Sequence, residues 1–157
     1  MEKKKIMDDE QIIYQVYNLN WLLPKNIQEE AIRILSELPN DKVHFLIPKY
    51  GKECWENGVS ILARIGYPRN EKALPLLARL LQDRNWPGAL EAIEIFRSVG
   101  KQISVPFIEK ECEQALSCQD ADWLEHLYWA CQSLNIQADD FENADSFEEM
   151  KQKGEEL

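Results

Sequence analysis

Apolar residues in the middle of the chain recur at helical spacing on two consecutive stretches between residues 72 and 100. The residues that fall on one face are, in the first stretch, Leu74, Leu77, Ala78 and Leu81, and, in the second, Leu90, Ile93, Phe96 and Val99. Asn85 is predicted to cap the second helix, with Pro87 in its first turn. Gly100 is predicted to end that helix. The pattern therefore predicts two helices joined by a tight turn.

Neither helix of this hairpin can bury its apolar stripe alone, so the hairpin needs similar hairpins on both sides. Four tryptophans support such a repeat, because they recur at spacings of 34, 31 and 37 residues near the starts of candidate second helices: Trp21, Trp55, Trp86 and Trp123. We interpret them as structural anchors between adjacent hairpins. The predicted fold is all-α, a right-handed α-solenoid of about four helical hairpins over residues 1–136.

The helices of the first two hairpins follow from the same periodicity and are expected in four ranges: Asp9–Asn18, Ile27–Leu38, 41–50 and Lys52–Ile65. Pro48 is expected to bend or end the third of these helices. The first helix is predicted to bury Ile13, Val16 and Tyr17. Asn26 and Glu29 form a capping-box-like pair at the start of the second helix. Gly58 is expected to weaken the fourth helix by roughly 1 kcal/mol.

The last hairpin begins after Gly100. Ser104 is predicted to cap its first helix, with Pro106 in the first turn. Asp120 or Asp122 is predicted to cap its second helix, the last major helix of the chain.

Residues 137–157 form an acidic segment with few apolar residues. Phe147 and Met150 predict one short helix, Asp145–Lys153, that covers the exposed end of the last hairpin. A disordered tail is the alternative. We therefore treat residues 1–136 as the repeat domain and 137–157 as a C-terminal capping segment.

Composition and charge restrict the partners of this domain. The chain has 157 residues and a formal net charge of −10. Its apolar runs are far shorter than the roughly 20 residues that span a bilayer, and no apolar stretch follows the lysines at the N-terminus, so we expect a cytoplasmic protein without a membrane segment. The acidity makes nucleic acid an unlikely partner and favours a basic protein.

The four cysteines contain no CxxC pair and are expected to be reduced, buried and free of metal. A zinc site would need ligands from the last hairpin: Cys112, Cys118, His126 and Cys131. Their spacing matches no standard zinc pattern, so no metal and no cofactor is predicted.

Enzyme signatures are missing from the sequence, which contains no GxSxG, Walker, HExxH or GxGxxG motif. Asp122, His126 and Ser133 share one stripe of the last helix and superficially resemble a catalytic triad. Ser133 is, however, about 10 Å along the helix axis from His126, beyond the reach of proton transfer. We expect no catalytic residue and no enzymatic activity.

The second helices of a solenoid line a surface suited to extended partners. On the last two of these helices, the outward residues that we predict to bind a partner are Glu91, Glu94, Asp122, Glu125 and Trp129. Trp129 lies off the buried stripe, so either it packs against the C-terminal segment or it forms a contact surface.

The central hairpin resembles a HEAT repeat. More narrowly, LPLLARLLQDRNWPGA is similar to the signature of a small bacterial HEAT-like repeat family of unknown function, in a Leu-Pro, a leucine-rich stretch, Gln-Asp and Asn-Trp-Pro: Leu74, Pro75, Leu80, Leu81, Gln82, Asp83, Asn85, Trp86 and Pro87. The chain departs from it at Gly88, where the family more often has a branched apolar residue. The resemblance covers about Trp21 to Ile136 and implies a fold but no catalytic residues.

We therefore expect a protein-binding scaffold and, more narrowly, an immunity or antitoxin-type protein that masks a basic partner. A HEAT-like nucleic-acid-binding or DNA-repair enzyme is the alternative, and it is favoured by one cluster of basic residues: Arg64, Arg69, Lys72, Arg79 and Arg84. A structural subunit of a larger assembly is the third hypothesis. Fold-level analogy cannot decide among them.

Overall fold

A computed structural model describes residues 7–155, and every regular element in that range is helical. The eight α-helices of the described range are α1 (Asp9–Tyr17), α2 (Lys25–Leu35), α3 (Lys52–Ile65), α4 (Leu74–Leu80), α5 (Ala89–Val99), α6 (Lys101–Cys118), α7 (Ala121–Ser133) and α8 (Ala144–Glu155). The all-α prediction is confirmed. None of the helices in this range is long and apolar enough to cross a membrane.

The chain divides into two compact units, residues 1–73 and residues 74–157. Unit 1 contains α1 to α3, and unit 2 contains α4 to α8. The segment after residue 136 thus lies in the same compact unit as α4 to α7, because α8 packs against α6 and α7.

In unit 1, α1 begins at a capping box formed by Asp8 and Gln11. Its buried residues are Ile12 and Val16, whereas Ile13 and Tyr17 are exposed. Of the predicted inward residues, Val16 is buried as expected, whereas Ile13 and Tyr17 are wrong and Ile12 is buried instead. Two adjacent stripes of α1 are both apolar, and the stripe of Ile12 and Val16 is the one that enters the core.

The start of α2 and the element that follows it differ from the prediction. α2 begins at Lys25, directly after Pro24, and has no side-chain cap, so the predicted capping pair of Asn26 and Glu29 is wrong. The helix expected over residues 41–50 is a short 3-10 turn, Val43–Leu46. Pro48 explains this, since the residue before a proline is disfavoured in helical conformation.

α3 packs against this turn at Gly58. A Cβ atom at Gly58 would lie 2.1 Å from the backbone carbonyl oxygen of Leu46. The glycine therefore allows a close approach that no other residue permits, in addition to its cost in helix propensity. One turn earlier, the buried Trp55 donates its indole N–H to the carbonyl of Pro48 at 2.6 Å.

In unit 2, the predicted hairpin of α4 and α5 is present, but its turn differs. α5 begins at Ala89, so Asn85 does not cap it. Instead, the Asp83 carboxylate accepts the backbone N–H of Asn85 at 2.8 Å and closes the turn. Leu90, predicted on the buried stripe, is exposed, and Ala89 is buried in its place.

Gly100 ends α5, as predicted, and also serves as the N-cap of α6. Its φ of 86° is in the left-handed region that favours glycine. The predicted cap at Ser104 is wrong, because α6 starts at Lys101 and Ser104 is buried inside it. The Ser104 hydroxyl donates to the carbonyl of Phe96 at 2.7 Å or of Gly100 at 2.8 Å, so it fixes the junction of the two helices.

The last two helices agree with the sequence. Asp120 caps α7 by accepting the backbone N–H of Trp123 at 3.0 Å. In α8, Phe147 and Met150 are buried, and the Phe147 ring packs edge-on against Phe141 with centroids 5.2 Å apart. A helix is therefore present at Ala144–Glu155, where the sequence predicted Asp145–Lys153, and the alternative of a disordered tail is wrong for residues 144–155.

The four tryptophans of the predicted repeat differ in burial. Trp55 is buried, whereas Trp86 and Trp123 are partly buried. Trp21 is 45% exposed, because it lies in the α1–α2 loop with its side chain directed outward. Trp21 is therefore not a core anchor, and an anchoring role between hairpins stays a prediction for Trp86 and Trp123.

Candidate protein-binding face

Hydrogen bonds from two arginine side chains indicate the relative direction of α5 and α7 in unit 2. Near the end of α5, Arg97 donates from Nη2 to the carbonyl oxygen of Ser133, at the end of α7, at 2.8 Å. Before the start of α5, Arg84 reaches Glu125 in the first half of α7. These hydrogen bonds therefore indicate that α5 and α7 run in the same direction, and we call the outward residues of these two helices the α5–α7 face.

The Arg84 side chain contacts two residues of α7, Glu125 and Trp129. Its Nη1 donates to both carboxylate oxygens of Glu125, at 2.9 and 3.0 Å. Its guanidinium carbon lies 5.2 Å from the centroid of the Trp129 ring, within the range of a cation–π contact. About two thirds of the Arg84 and Glu125 side chains are buried. Trp129 therefore carries a fixed cation beside its ring.

His126 accepts the backbone N–H of Arg84 at Nδ1, at 3.3 Å. A nitrogen that accepts a hydrogen bond carries no proton, so the proton of a neutral His126 ring is on Nε2. Nε2 lies 3.7 Å from a carboxylate oxygen of Asp83. His126 thus links the α4–α5 turn to α7.

Asp122, His126 and Ser133, which superficially resembled a catalytic triad, do not contact one another as a triad would. The Ser133 hydroxyl donates to the carbonyl of Trp129 at 3.0 Å. The exposed Asp122 side chain makes no hydrogen bond or ion pair with another described residue, and the carboxylates nearest to His126 belong to Asp83 and Glu125. Asp122 and His126 are therefore not paired with each other.

The predicted partner-binding residues fall into two groups. Glu94 pairs with Arg97, and Glu125 pairs with Arg84, so the charges of these two carboxylates are largely compensated. Glu91 and Asp122 are exposed, and neither side chain is paired within residues 7–155. Two unpaired carboxylates thus remain exposed on these helices, and Trp129 is partly buried beside Arg84.

The sequence did not place either arginine on this face: Arg84 was grouped with the basic cluster, and Arg97 was not singled out. Arg97 had a local signal, because it stands three residues after Glu94, a spacing at which opposite charges pair on a helix. Arg84 had none, since its partner Glu125 is 41 residues away. Long-range pairing of this kind depends on the packing of α7 and is not encoded in a local pattern.

Two members of the basic cluster that favoured a nucleic-acid partner, Arg69 and Arg84, already interact with other residues of the chain. Arg84 is paired with Glu125, and Arg69 donates to the Asn40 side chain and to the Leu38 carbonyl, both at 3.4 Å. A guanidinium that is already paired gains less from a phosphate, because the existing ion pair must first be broken.

Cys54, Cys112 and Cys131 are buried free thiols, whereas Cys118 is exposed, contrary to expectation. Burial raises the pKa of the Cys54 thiol to about 11 and that of Cys112 to about 12, and it also raises the pKa of Cys131. Buried thiols with raised pKa values are poor nucleophiles and poor metal ligands. Within residues 7–155, no cluster of three or more His, Cys, Asp or Glu residues could hold a metal ion.

Comparison of the chain with protein-family models, curated proteins and solved structures gave no match. The HEAT-like resemblance therefore rests on the residues of the central hairpin. Function has to be argued from the surfaces of the molecule.

Proposed function

We propose that this chain is a protein-binding module and that the α5–α7 face of unit 2 binds a basic protein. The observation that carries the proposal is the distribution of charge. Residues 74–157 contain 17 acidic and 7 basic residues, whereas residues 1–73 contain 11 of each. The whole net charge of −10 thus belongs to unit 2, and such a field accelerates the encounter with a basic partner.

The face offers both kinds of group that an interface uses. Glu91 and Asp122 are exposed and unpaired, so they can bind cationic side chains of a partner without first breaking an ion pair. Trp129 is held beside the Arg84 guanidinium, so a partner that covers it orders few additional side chains. Tryptophan and arginine are enriched among the residues that contribute most to binding.

The finer fold assignment is part of this proposal. α4–α5 and α6–α7 are successive hairpins whose second helices run in the same direction, an arrangement typical of a HEAT-like α-solenoid. We extend this to a right-handed solenoid of about four hairpins, in the second of which the 3-10 turn Val43–Leu46 takes the place of the first helix. Within the class of binding modules we favour a cytoplasmic immunity or antitoxin-type protein, because its partner would be a basic toxin.

The test begins with capture of partners from the native cell and their identification by mass spectrometry. The affinity of the captured partner is then measured by calorimetry for wild type and for Glu91→Lys/Asp122→Lys. This double variant should bind at least about tenfold more weakly at low salt, with a smaller difference at high salt. Its thermal stability should be nearly unchanged, since exposed charges contribute little to folding.

The matched control is Glu148→Lys/Glu155→Lys, which changes the net charge equally through exposed residues of α8. The control should bind much more tightly than the α5–α7 variant. Equal affinities of the two variants would mean that the face has no specific role. Recovery of nucleic acid as the bound partner would replace the proposal with the DNA-repair alternative.

A further inference from the structure

Unit 1 carries a cluster of exposed aromatic and apolar side chains, which we call the aromatic patch. Its members and their exposed fractions are Tyr14 (66%), Tyr17 (45%), Trp21 (45%), Leu22 (77%) and Tyr50 (79%). Isolated exposed apolar residues are common on proteins, but a contiguous cluster of this kind marks an interaction site.

The patch is contiguous because α1, the α1–α2 loop and the start of α3 meet beneath it. The Tyr17 hydroxyl donates to the carbonyl of Tyr50 at 3.4 Å. Tyr14 stands one helical turn before Tyr17 on α1. The backbone N–H of Trp21 donates to the carbonyl of Glu53, at the start of α3, at 3.2 Å.

Hydrogen bonds hold the loop of Trp21 and Leu22 in one conformation. The Asn57 side chain donates to the Leu19 carbonyl at 2.7 Å, and the Gln28 side chain donates to the carbonyls of Leu23 at 2.7 Å and Trp21 at 3.2 Å. The exposed side chains are thus presented by a fixed backbone, so little conformational entropy is lost when they are covered.

We infer that the aromatic patch is a self-association surface, on which a second copy of this chain docks through the same patch. With about 200 Å² for an aromatic side chain and somewhat less for leucine, the exposed fractions amount to roughly 600 Å² per copy. A standard interface takes about 800 Å² from each partner. The patch and a modest rim therefore suffice for a twofold dimer, in which one patch faces itself.

Charge favours a second copy as the occupant. Two copies of a chain with net charge −10 repel each other, but that charge belongs entirely to residues 74–157, and residues 1–73 sum to zero. A contact through unit 1 therefore joins units that carry no net charge, so it avoids the repulsion between the acidic units. The aromatic rings of the patch can stack edge-on or offset across the twofold axis.

The test is sedimentation equilibrium of the full chain over a wide range of concentration. Wild type should show a concentration-dependent monomer–dimer equilibrium that is maintained or strengthened by added salt, since salt screens the repulsion between the acidic units. Leu22→Glu/Tyr50→Glu should weaken the dimer at least about tenfold. Each copy would then present two negative charges to the two negative charges of the other copy. Both side chains are more than three-quarters exposed, so helical content measured by circular dichroism should not change.

Leu90→Glu is the matched control, because Leu90 is an exposed apolar residue of unit 2. It should leave the dimer constant unchanged. A wild type that stays monomeric at every concentration overturns the inference, as does a dimer that the patch variant leaves intact. The opposite salt response separates this test from that of the α5–α7 face, whose binding should weaken with salt.

Discussion

Replacement of Gly58 by alanine should destabilise the protein, although alanine is the better helix former. In α3 the added methyl group would lie 2.1 Å from the carbonyl oxygen of Leu46 and 3.3 Å from the Ile47 side chain, where ordinary contacts begin at 3.4 Å. α3 and the 3-10 turn Val43–Leu46 would have to separate by about 1.3 Å. Both carry buried side chains, so the shift disturbs the core of unit 1.

Two opposing contributions set the size of the effect. Helix propensity favours alanine by about 1 kcal/mol. Overpacking typically costs about 1–3 kcal/mol, and a contact of 2.1 Å with a backbone group places Gly58→Ala at or above the upper end of that range. We therefore expect Gly58→Ala to lower the free energy of unfolding by roughly 2–4 kcal/mol.

Urea unfolding followed by circular dichroism measures this loss. Ser60→Ala is the control, because Ser60 lies in the same helix but is exposed, and its effect should stay within about 0.5 kcal/mol. A Gly58→Ala variant as stable as wild type would show that the close approach of α3 to Leu46 is absent in solution.

Three further predictions concern the core and the cysteines. Phe147→Ala should lower the free energy of unfolding in urea by about 3–5 kcal/mol, because the ring of this α8 residue is buried. A loss below about 1 kcal/mol would contradict the capping role of α8. Stability should fall as the pH rises from about 9 towards 11, because the pKa of the Cys54 thiol is raised from 9.0 to about 11 by burial, so the unfolded chain loses this proton first. Thermal unfolding across that range checks this, and a constant melting temperature would refute it. Cys118 should react with a thiol reagent in the folded protein well before the buried cysteines; a single rate for all four would show that the burial is wrong.

Features with a short-range signal could be predicted from the sequence. Gly100 ends α5 and Asp120 caps α7, as expected, because each acts on the backbone within a few residues. The C-terminal helix was also predictable, since Phe147 and Met150 stand on one face of an otherwise polar segment.

Features that depend on competition between neighbours were predicted wrongly. Asn85 is a good capping residue, but the Asp83 carboxylate bonds to its backbone N–H, and the helix starts later. On α1, Ile13 and Tyr17 fit the helical period as well as Ile12 and Val16 do, so periodicity could not choose the buried face.

The candidate site was predictable in composition but not in geometry. The sequence placed Glu125 and Trp129 on the exposed side of α7. It contained no sign that Arg84 would pair with Glu125 and lie beside the Trp129 ring. Unpaired carboxylates can be counted only after such long-range ion pairs are known. Binding of a basic partner by this face stays a prediction.

The junction at Gly100 has a consequence for how the length of this chain can change. α5 and α6 share this single residue, and the Ser104 hydroxyl ties it to the last turn of α5. One inserted residue would rotate α6 by about 100° about its axis and turn Ile108 and Cys112 away from the core. The connection between α4 and α5, by contrast, is eight residues long, Leu81 to Gly88. Changes in chain length are therefore tolerated better in such a longer connection, whereas the rotation of α6 relative to α5 is fixed by their shared residue.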